Sequence, residues 1–412
     1  MIMSKKNNVV TLGCRLNFWE SNTINNLIED DKKNNFVVFN TCSVTNEAVK
    51  NVKKNIRSFH RLNPEVKIAV TGCAVESDKD TFKKMREVSY IVKNKDKLSR
   101  ASWQNIQKNI KKKPMSSINF KGLSKENPSN SNIRKFIKIQ NGCDHSCTFC
   151  IIPSCRGKSK SESIYKINKE ISTNLNKGVK EIILTGVDLT SWSTDKNLDL
   201  GHLLKNIFHK NKASFRLRLS SIDAAEIDDD LLDLIKYEPR LMPHFHFSLQ
   251  SLDNLILKRM RRRHNVDQII KLFENIRKAS DNVTFGSDFI CGFPTENEEM
   301  FSNTLKLVEK LNITHLHVFP YSAKEGTAAA RMPQVPLYVR RERSKILRGM
   351  GKKNLQETLK KQLNKKQKVL IETKSGFGRT ENNFKVQATG ANKGSIIEIT
   401  PSYLKEDLLV VS

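Results

Sequence analysis

Three cysteines fall within eight residues as Cys143-Asp-His-Ser-Cys147-Thr-Phe-Cys150, the spacing C-x3-C-x2-C. Thiolates are the usual ligands of iron–sulfur clusters, and a cubane has four irons. Three protein ligands therefore leave one iron open to bind a substrate group. A structural zinc site would ask for a fourth ligand, and His145 or Cys155 is near enough in sequence to supply it. The local spacing leaves both metals open. Three more cysteines, Cys14, Cys42 and Cys73, each follow a short apolar run. Parallel strands bring their C-terminal ends to one sheet edge, where α/β proteins place their sites. These three thiols are therefore expected to converge.

The elements that must position them can be read from hydropathy. Residues 9–12, 36–39 and 67–70 are strand-like and alternate with helical stretches up to about residue 110. Residues 111–133 carry a Lys run, two prolines and many Ser and Asn, and read as a linker. Strand-like runs recur at 136–140, 181–184, 215–219, 244–249, 284–290 and 315–320. Helical stretches such as 161–176 and 266–280 separate most of them. Six such βα units predict a full or partial (β/α) barrel with its site at the strand C-terminal ends. A basic helical connector follows at 337–366, and short β-like runs punctuated by glycines fill 367–412. The expected class is α/β, in four regions: an α/β cysteine domain at 5–112, a partial barrel at 130–336, the connector, and a small C-terminal β-barrel of the oligonucleotide-binding sort.

The totals favour a polyanionic partner. The 412 residues carry a formal net charge of +29, with a sequence pI of about 9.8. Such a surface favours phosphate contacts, although a Lys-, Asn- and Ile-rich composition raises charge by itself. No stretch approaches the roughly 18–20 apolar residues of a membrane span. Residues 1–8 are polar, with no apolar leader. A cytoplasmic protein without membrane association is expected, and in that compartment cysteines favour metal or catalytic roles over disulfides.

The C-x3-C-x2-C segment resembles the signature of the radical S-adenosylmethionine superfamily. The resemblance implies a [4Fe–4S] cluster at Cys143, Cys147 and Cys150. Its open iron would hold the amino and carboxylate groups of S-adenosylmethionine, whose reductive cleavage yields a hydrogen-abstracting 5′-deoxyadenosyl radical. The rest of the chain is similar to the methylthiotransferases. Thr11-Leu-Gly-Cys14-Arg-Leu-Asn17, Asn40-Thr-Cys42-Ser-Val-Thr45 and Thr71-Gly-Cys73 look like that family's N-terminal domain. There Cys14, Cys42 and Cys73 would hold a second [4Fe–4S] cluster carrying the sulfur to be transferred. The tail is similar to the family's RNA-binding TRAM domain. Asn40-Thr-Cys42-Ser-Val-Thr45, Leu184-Thr-Gly-Val-Asp188-Leu-Thr190, Ser220-Ser-Ile-Asp-Ala-Ala-Glu226 and the segment 326–335 resemble the type acting on N6-threonylcarbamoyladenosine at tRNA position 37. By resemblance, one S-adenosylmethionine methylates sulfur at the second cluster. Another yields the radical that lets methylthio enter at adenine C2. The implied partners are a tRNA anticodon stem-loop and an electron donor such as flavodoxin or ferredoxin. The alternatives are the isopentenyladenosine-37 tRNA or a ribosomal-protein aspartate as target, or a zinc-stabilised RNA-binding protein with no activity.

Further site residues are expected at strand ends. By the same resemblance Gly186 and Asp188 would meet the methionine moiety, and Ser220 with Ser221 would lie near the ribose. Gln250 and Asp288 are polar interruptions of apolar runs and would line a cavity. His244 and His246 would contact the ligand or sit as satisfied core histidines. The basic run 258–263 is expected to offer phosphate contacts or a solvated face. Phe377, Arg379 and Phe384 would offer stacking and charge to single-stranded RNA. Cys155 and Cys291 are expected as small core residues. The stretch between Cys14 and Cys42, with polar residues at 29–35, looks shorter than the family's usual connection.

Overall fold

The computed structural model describes residues 8–28, 36–110, 118–120, 133–194 and 198–411. The polar connection at 29–35 and nearly all of the expected linker lie outside them. The chain divides into two compact units. The first is 1–130 with 142–144 and 151–158, and the second is 131–141, 145–150 and 159–412.

In the first unit β1 (Val9–Thr11), β2 (Phe36–Thr41), β3 (Lys67–Gly72) and β4 (Tyr90–Ile91) form a parallel sheet in that order. Its helices are α1 (Arg15–Ile28), α2 (Asn46–Leu62), α3 (Cys73–Ser77), α4 (Lys79–Lys84), α5 (Arg100–Lys108) and α6 (Ile152–Arg156). Every residue of β2 is buried, and the two-residue side-chain period sends alternate ones to opposite faces. Val37 and Phe39 join a core with Val49, Val52, Ile56 and Phe59 of α2. Phe36 and Val38 join a second core with Ile24 of α1 and Trp103 of α5. The α2 residues recur at helical spacing, and Thr45 caps the helix, its Oγ1 accepting from the Ala48 N–H at 3.0 Å.

The second unit opens with β5 (Arg134–Lys138), the short antiparallel pair β6 (Gln140–Asn141) and β7 (Lys160–Ser161), and α7 (Ile164–Asn176). Then come β8 (Glu181–Thr185), α8 (Leu200–Lys210), β9 (Arg216–Leu219), β10 (Ser221–Ile222) and α9 (Asp229–Tyr237). They are followed by β11 (His244–Gln250), α10 (Asn254–Arg259), α11 (Val266–Ala279), β12 (Thr284–Cys291), α12 (Glu298–Lys310) and β13 (His315–Pro320). All pairings in the series β5-β8-β9 and β10-β11-β12-β13 are parallel. A bridge from Leu217 to Leu241 accompanies the break at Ser220. Among the described residues β5 and β13 are not paired with each other, so the expected barrel is a partial one. Phe245, Phe247 and Leu249 of β11 pack outward under α11 with Phe273 and Ile276. Their alternates His244, His246 and Gln250 therefore face the other side.

The expected basic connector is α13 (Leu337–Lys360), which ends short of residue 366. The tail forms one sheet of β14 (Gln367–Ile371), β15 (Phe377–Thr380), β16 (Lys385–Gln387), β17 (Ile396–Ile399), β18 (Tyr403–Lys405) and β19 (Leu408–Val410). Its order is β17-β14-β15-β16-β19-β18. This strand-rich domain packs Val369, Ile371, Phe384, Val386 and Leu409 against Leu359 of α13.

The sheet is fastened to the N-terminal ends of the barrel strands by buried charge. Glu181 is wholly buried between Arg134 Nε at 2.6 Å and Arg218 Nε at 2.9 Å. Arg218 donates to the carbonyls of Thr380 at 2.8 Å and Glu381 at 2.9 Å, and Arg216 to those of Lys368 and Arg379. Arg134 also pairs with Glu372 at 3.0 Å. Burial alone would raise the Glu181 carboxyl, but Arg218 and Arg134 bring it down to about 2.

Candidate cluster and radical site

In the cysteine unit each thiol follows the end of a parallel strand. Cys14 lies just beyond β1, Cys42 directly follows β2, and Cys73 opens α3 directly after β3. Gly13 has φ +141°, and a Cβ there would meet Cys42 Cβ at 2.8 Å, so the close approach of these two loops requires glycine. Asn17 ties the same loops, its Nδ2 donating to the carbonyls of Leu12 and Thr41, each at 3.1 Å. Asn40 Nδ2 donates in turn to the Asn17 carbonyl at 3.0 Å. Burial first, and then the neighbouring Cys14, push the Cys42 thiol up to about 12. Arg156 lies against them, its Nε 3.2 Å from Cys73 Sγ. Three thiols beside a buried cation fit an anionic iron–sulfur cluster held through deprotonated ligands. Cys155 is 5% exposed, and its thiol donates to the Cys73 carbonyl at 3.5 Å. That places it as the small buried residue the sequence suggests.

The C-x3-C-x2-C segment lies on the loop after β5 and β6. Gly142 precedes it with φ +77°, and a Cβ there would meet the Lys158 carbonyl at 2.0 Å. The Cys150 N–H donates to the Cys147 carbonyl at 3.1 Å, closing a tight turn. Thr148 pins that turn, accepting from the Ala329 N–H and donating its hydroxyl to the Arg259 carbonyl at 2.8 Å. Arg262 Nη1 stands 3.5 Å from Cys147 Sγ.

His145, inside the segment, meets Asp188 at 2.7 Å. Asp188 also accepts from Thr190 and Ser191, each at 2.8 Å, and Gln140 Oε1 accepts from its N–H. Burial would raise Asp188, but the donors His145, Ser191 and Thr190 hold it below its ordinary value. The bond to Asp188 raises His145. Gly186 lies against Gln140, where a Cβ would come within 3.0 Å of its carbonyl. Ser220 is 5% exposed at the break after β9, and among the described residues its hydroxyl has no hydrogen-bond partner. A buried unpartnered hydroxyl at a strand end fits a polar ligand. Gln250 ends β11 with φ +69° after a register shift. Asp288 accepts from His246 at 3.0 Å and His317 at 3.1 Å. Against burial, these imidazoles hold its carboxyl well below the usual range.

Three expectations change. The run 258–263 is only partly open: Lys258 and Arg261 are exposed, whereas its other basic residues are engaged. Arg262 pairs with buried Asp223 at 2.8 Å, Arg263 with Asp223 and Glu226, and Arg259 with Thr295, because the strand-end carboxylates need cations. Phe384 is 1% exposed in the tail's core and stacks on His315, so it is not a stacking platform. Arg379 turns to Glu372 and Asn383, whereas Phe377 is 40% exposed. Cys291 is buried in the barrel's outer core, as expected.

Sequence reasoning gave no role to Asp223 or Arg156, and Arg262 entered only as one member of the basic run 258–263. The pattern Ser220-Ser-Ile-Asp-Ala-Ala-Glu226 carried the first, and Cys155-Arg-Gly the last.

The Radical SAM superfamily profile matches residues 137–308, and that of "Uncharacterized protein family UPF0004" matches residues 6–93. The threonylcarbamoyladenosine tRNA methylthiotransferase MtaB of Rickettsia prowazekii is 42% identical over 96% of both chains. Its namesake in Aquifex aeolicus is 31% identical, over 94% of this chain and 98% of that one. The chain belongs to the radical SAM methylthiotransferase family. The tRNA-2-methylthio-N(6)-dimethylallyladenosine synthase of Rickettsia typhi is 32% identical over 84% of this methylthiotransferase and 83% of its own length. Among solved structures, the radical S-adenosylmethionine methyltransferase TsrM of Kitasatospora setae aligns with a TM-score of 0.54 at 12% identity, covering 76% of this chain and 68% of that one. This supports the fold. Membership implies a [4Fe–4S] cluster and S-adenosylmethionine. Among the described residues no helix is long and apolar enough to cross a membrane.

Proposed function

We propose that this methylthiotransferase installs methylthio at C2 of N6-threonylcarbamoyladenosine, position 37 of tRNA. The observation that carries the reaction is the pair of three-cysteine sets in one chain, each following a strand end. The substrate is read from the 42% identity to the Rickettsia prowazekii relative, against 32% to the dimethylallyladenosine type.

When bound, the groups supply reductive cleavage of S-adenosylmethionine at Cys143, Cys147 and Cys150, and sulfur from a second [4Fe–4S] cluster at Cys14, Cys42 and Cys73. The chain's own residues bind and orient. Gly186, Asp188, Ser220, Gln250 and Asp288 face S-adenosylmethionine, with the Ser220 hydroxyl donating to it. Asp188 acts through His145, which it fixes in the radical loop. Arg262 balances charge at Cys147. Phe377 stacks on a base of the anticodon stem-loop, where unpaired bases can be splayed out. We assign 5–112 to the cysteine domain, 130–336 to the radical core, 337–366 to the connector and 367–412 to an RNA-binding tail. The working compartment is the cytoplasm, and the electron donor is a flavodoxin or ferredoxin.

The test is turnover by the reconstituted enzyme on two anticodon stem-loops, one carrying N6-threonylcarbamoyladenosine and one isopentenyladenosine. Methylthiolation of the first alone is expected. Modification of the second alone transfers the assignment to the dimethylallyl type, and modification of neither refutes the tRNA reading.

A further inference from the structure

Arg156 lies six residues beyond Cys150, at the end of α6, in the segment that groups with the cysteine unit. Its side chain is 2% exposed. Nε lies 3.2 Å from Cys73 Sγ, Nη1 2.7 Å from Glu20 Oε1, and Nη2 2.8 Å from Asn17 Oδ1. Asn17 Oδ1 is 3.6 Å from Cys14 Sγ. Glu20 is also paired with buried Lys97. One guanidinium thus reaches one cysteine directly and shares the Asn17 Oδ1 acceptor with the Cys14 thiol, while a carboxylate fixes its orientation.

The buried charges decide what this is for. Arg156 and Lys97 are buried cations that both pair with the Glu20 carboxylate. A buried charge is costly unless something opposes it. A [4Fe–4S] core of charge two plus, held by three thiolates, carries one negative charge, which a guanidinium against Cys73 opposes.

We propose that Arg156 is a positioning residue for the group held by Cys14, Cys42 and Cys73. Its Nε–H donates to the Cys73 thiolate, and its charge neutralises the site. Hydrogen bonds to cluster sulfurs and nearby positive charge stabilise the reduced state, so Arg156 raises the reduction potential there. The inference rests on the reading that these three cysteines hold an iron–sulfur cluster.

The experiment uses full-length chain with Cys143, Cys147 and Cys150 replaced by Ala, so that one cluster remains. Reconstituted protein is assayed for iron and sulfide and titrated redox-wise by electron paramagnetic resonance. Arg156→Lys keeps a cation for Glu20 and removes the Nε–H. Arg156→Gln removes the charge, and Lys97 still pairs Glu20, which protects the fold. Both variants are expected to retain about four irons per chain. The potential shifts negative in both, further in the Gln variant. In the Arg156 parent, exchange into D2O shifts an iron–sulfur stretching band in the resonance Raman spectrum. Unchanged potentials in loaded variants, or no deuterium shift in the parent, overturn the proposal. A parent that binds no iron sinks the underlying cluster reading instead.

Discussion

Replacing Glu181 by Gln is expected to loosen the C-terminal sheet while leaving the cysteine sites intact. The carboxylate is wholly buried and receives Arg134 and Arg218, which also bind Glu372 and the carbonyls of Thr380 and Glu381. Gln keeps the shape but leaves two buried cations facing a neutral amide. Removing one partner of a buried pair costs about 3–5 kcal/mol. The pH linkage gives a similar figure. The carboxyl falls from 4.5 to about 2, and at about 1.4 kcal/mol per pH unit this contributes about 3 kcal/mol. Because the folded value is depressed, that stability is present above pH 4.5 and is lost as pH falls towards 2. At roughly 2–4 °C per kcal/mol, the Gln variant should melt about 10 °C lower at neutral pH. Its acid limb between about pH 5 and 2 should flatten. Circular dichroism melts and limited proteolysis of the tail read both effects, with tRNA affinity reduced and iron content unchanged. A variant that melts within 1–2 °C of the parent and keeps the parent's acid limb would refute the reasoning.

Other outcomes follow from the same geometry. Replacing any one of Cys14, Cys42 and Cys73 by Ala should leave about four irons per chain, as should replacing any one of Cys143, Cys147 and Cys150, against about eight in the parent. Iron and sulfide analysis reads this. Ser220→Ala should weaken S-adenosylmethionine binding about fivefold, the loss of one hydrogen bond near 1 kcal/mol, without changing iron content in a calorimetric titration. Phe377→Ala should cost about 1–3 kcal/mol in tRNA affinity with the melt unchanged. Phe384→Ala should instead lower the unfolding free energy by about 3–5 kcal/mol, seen as an earlier melt.

The parallel sheets were legible because their strands are short apolar runs with turn residues behind them. Val37 and Phe39 face one core and Phe36 and Val38 the other, so β2 reads as a continuous buried run. The six cysteines proposed as cluster ligands stood out by type and spacing. What stayed hidden was which polar residues hold others in place. Arg262 sits in a basic run that looks solvated, and only the fold brings Asp223 to it across 39 residues of chain. Phe384 and Phe377 are alike in sequence, and burial alone separates them. Strand β15 lacks an apolar run because alternate residues face away from the core, and β18 because none of its three residues is buried.

The most direct test of the central claim is mass spectrometry of nucleosides from bulk tRNA of cells with and without this gene. The account predicts that 2-methylthio-N6-threonylcarbamoyladenosine disappears on deletion and its unthiolated precursor accumulates. Unchanged levels of that nucleoside would contradict it.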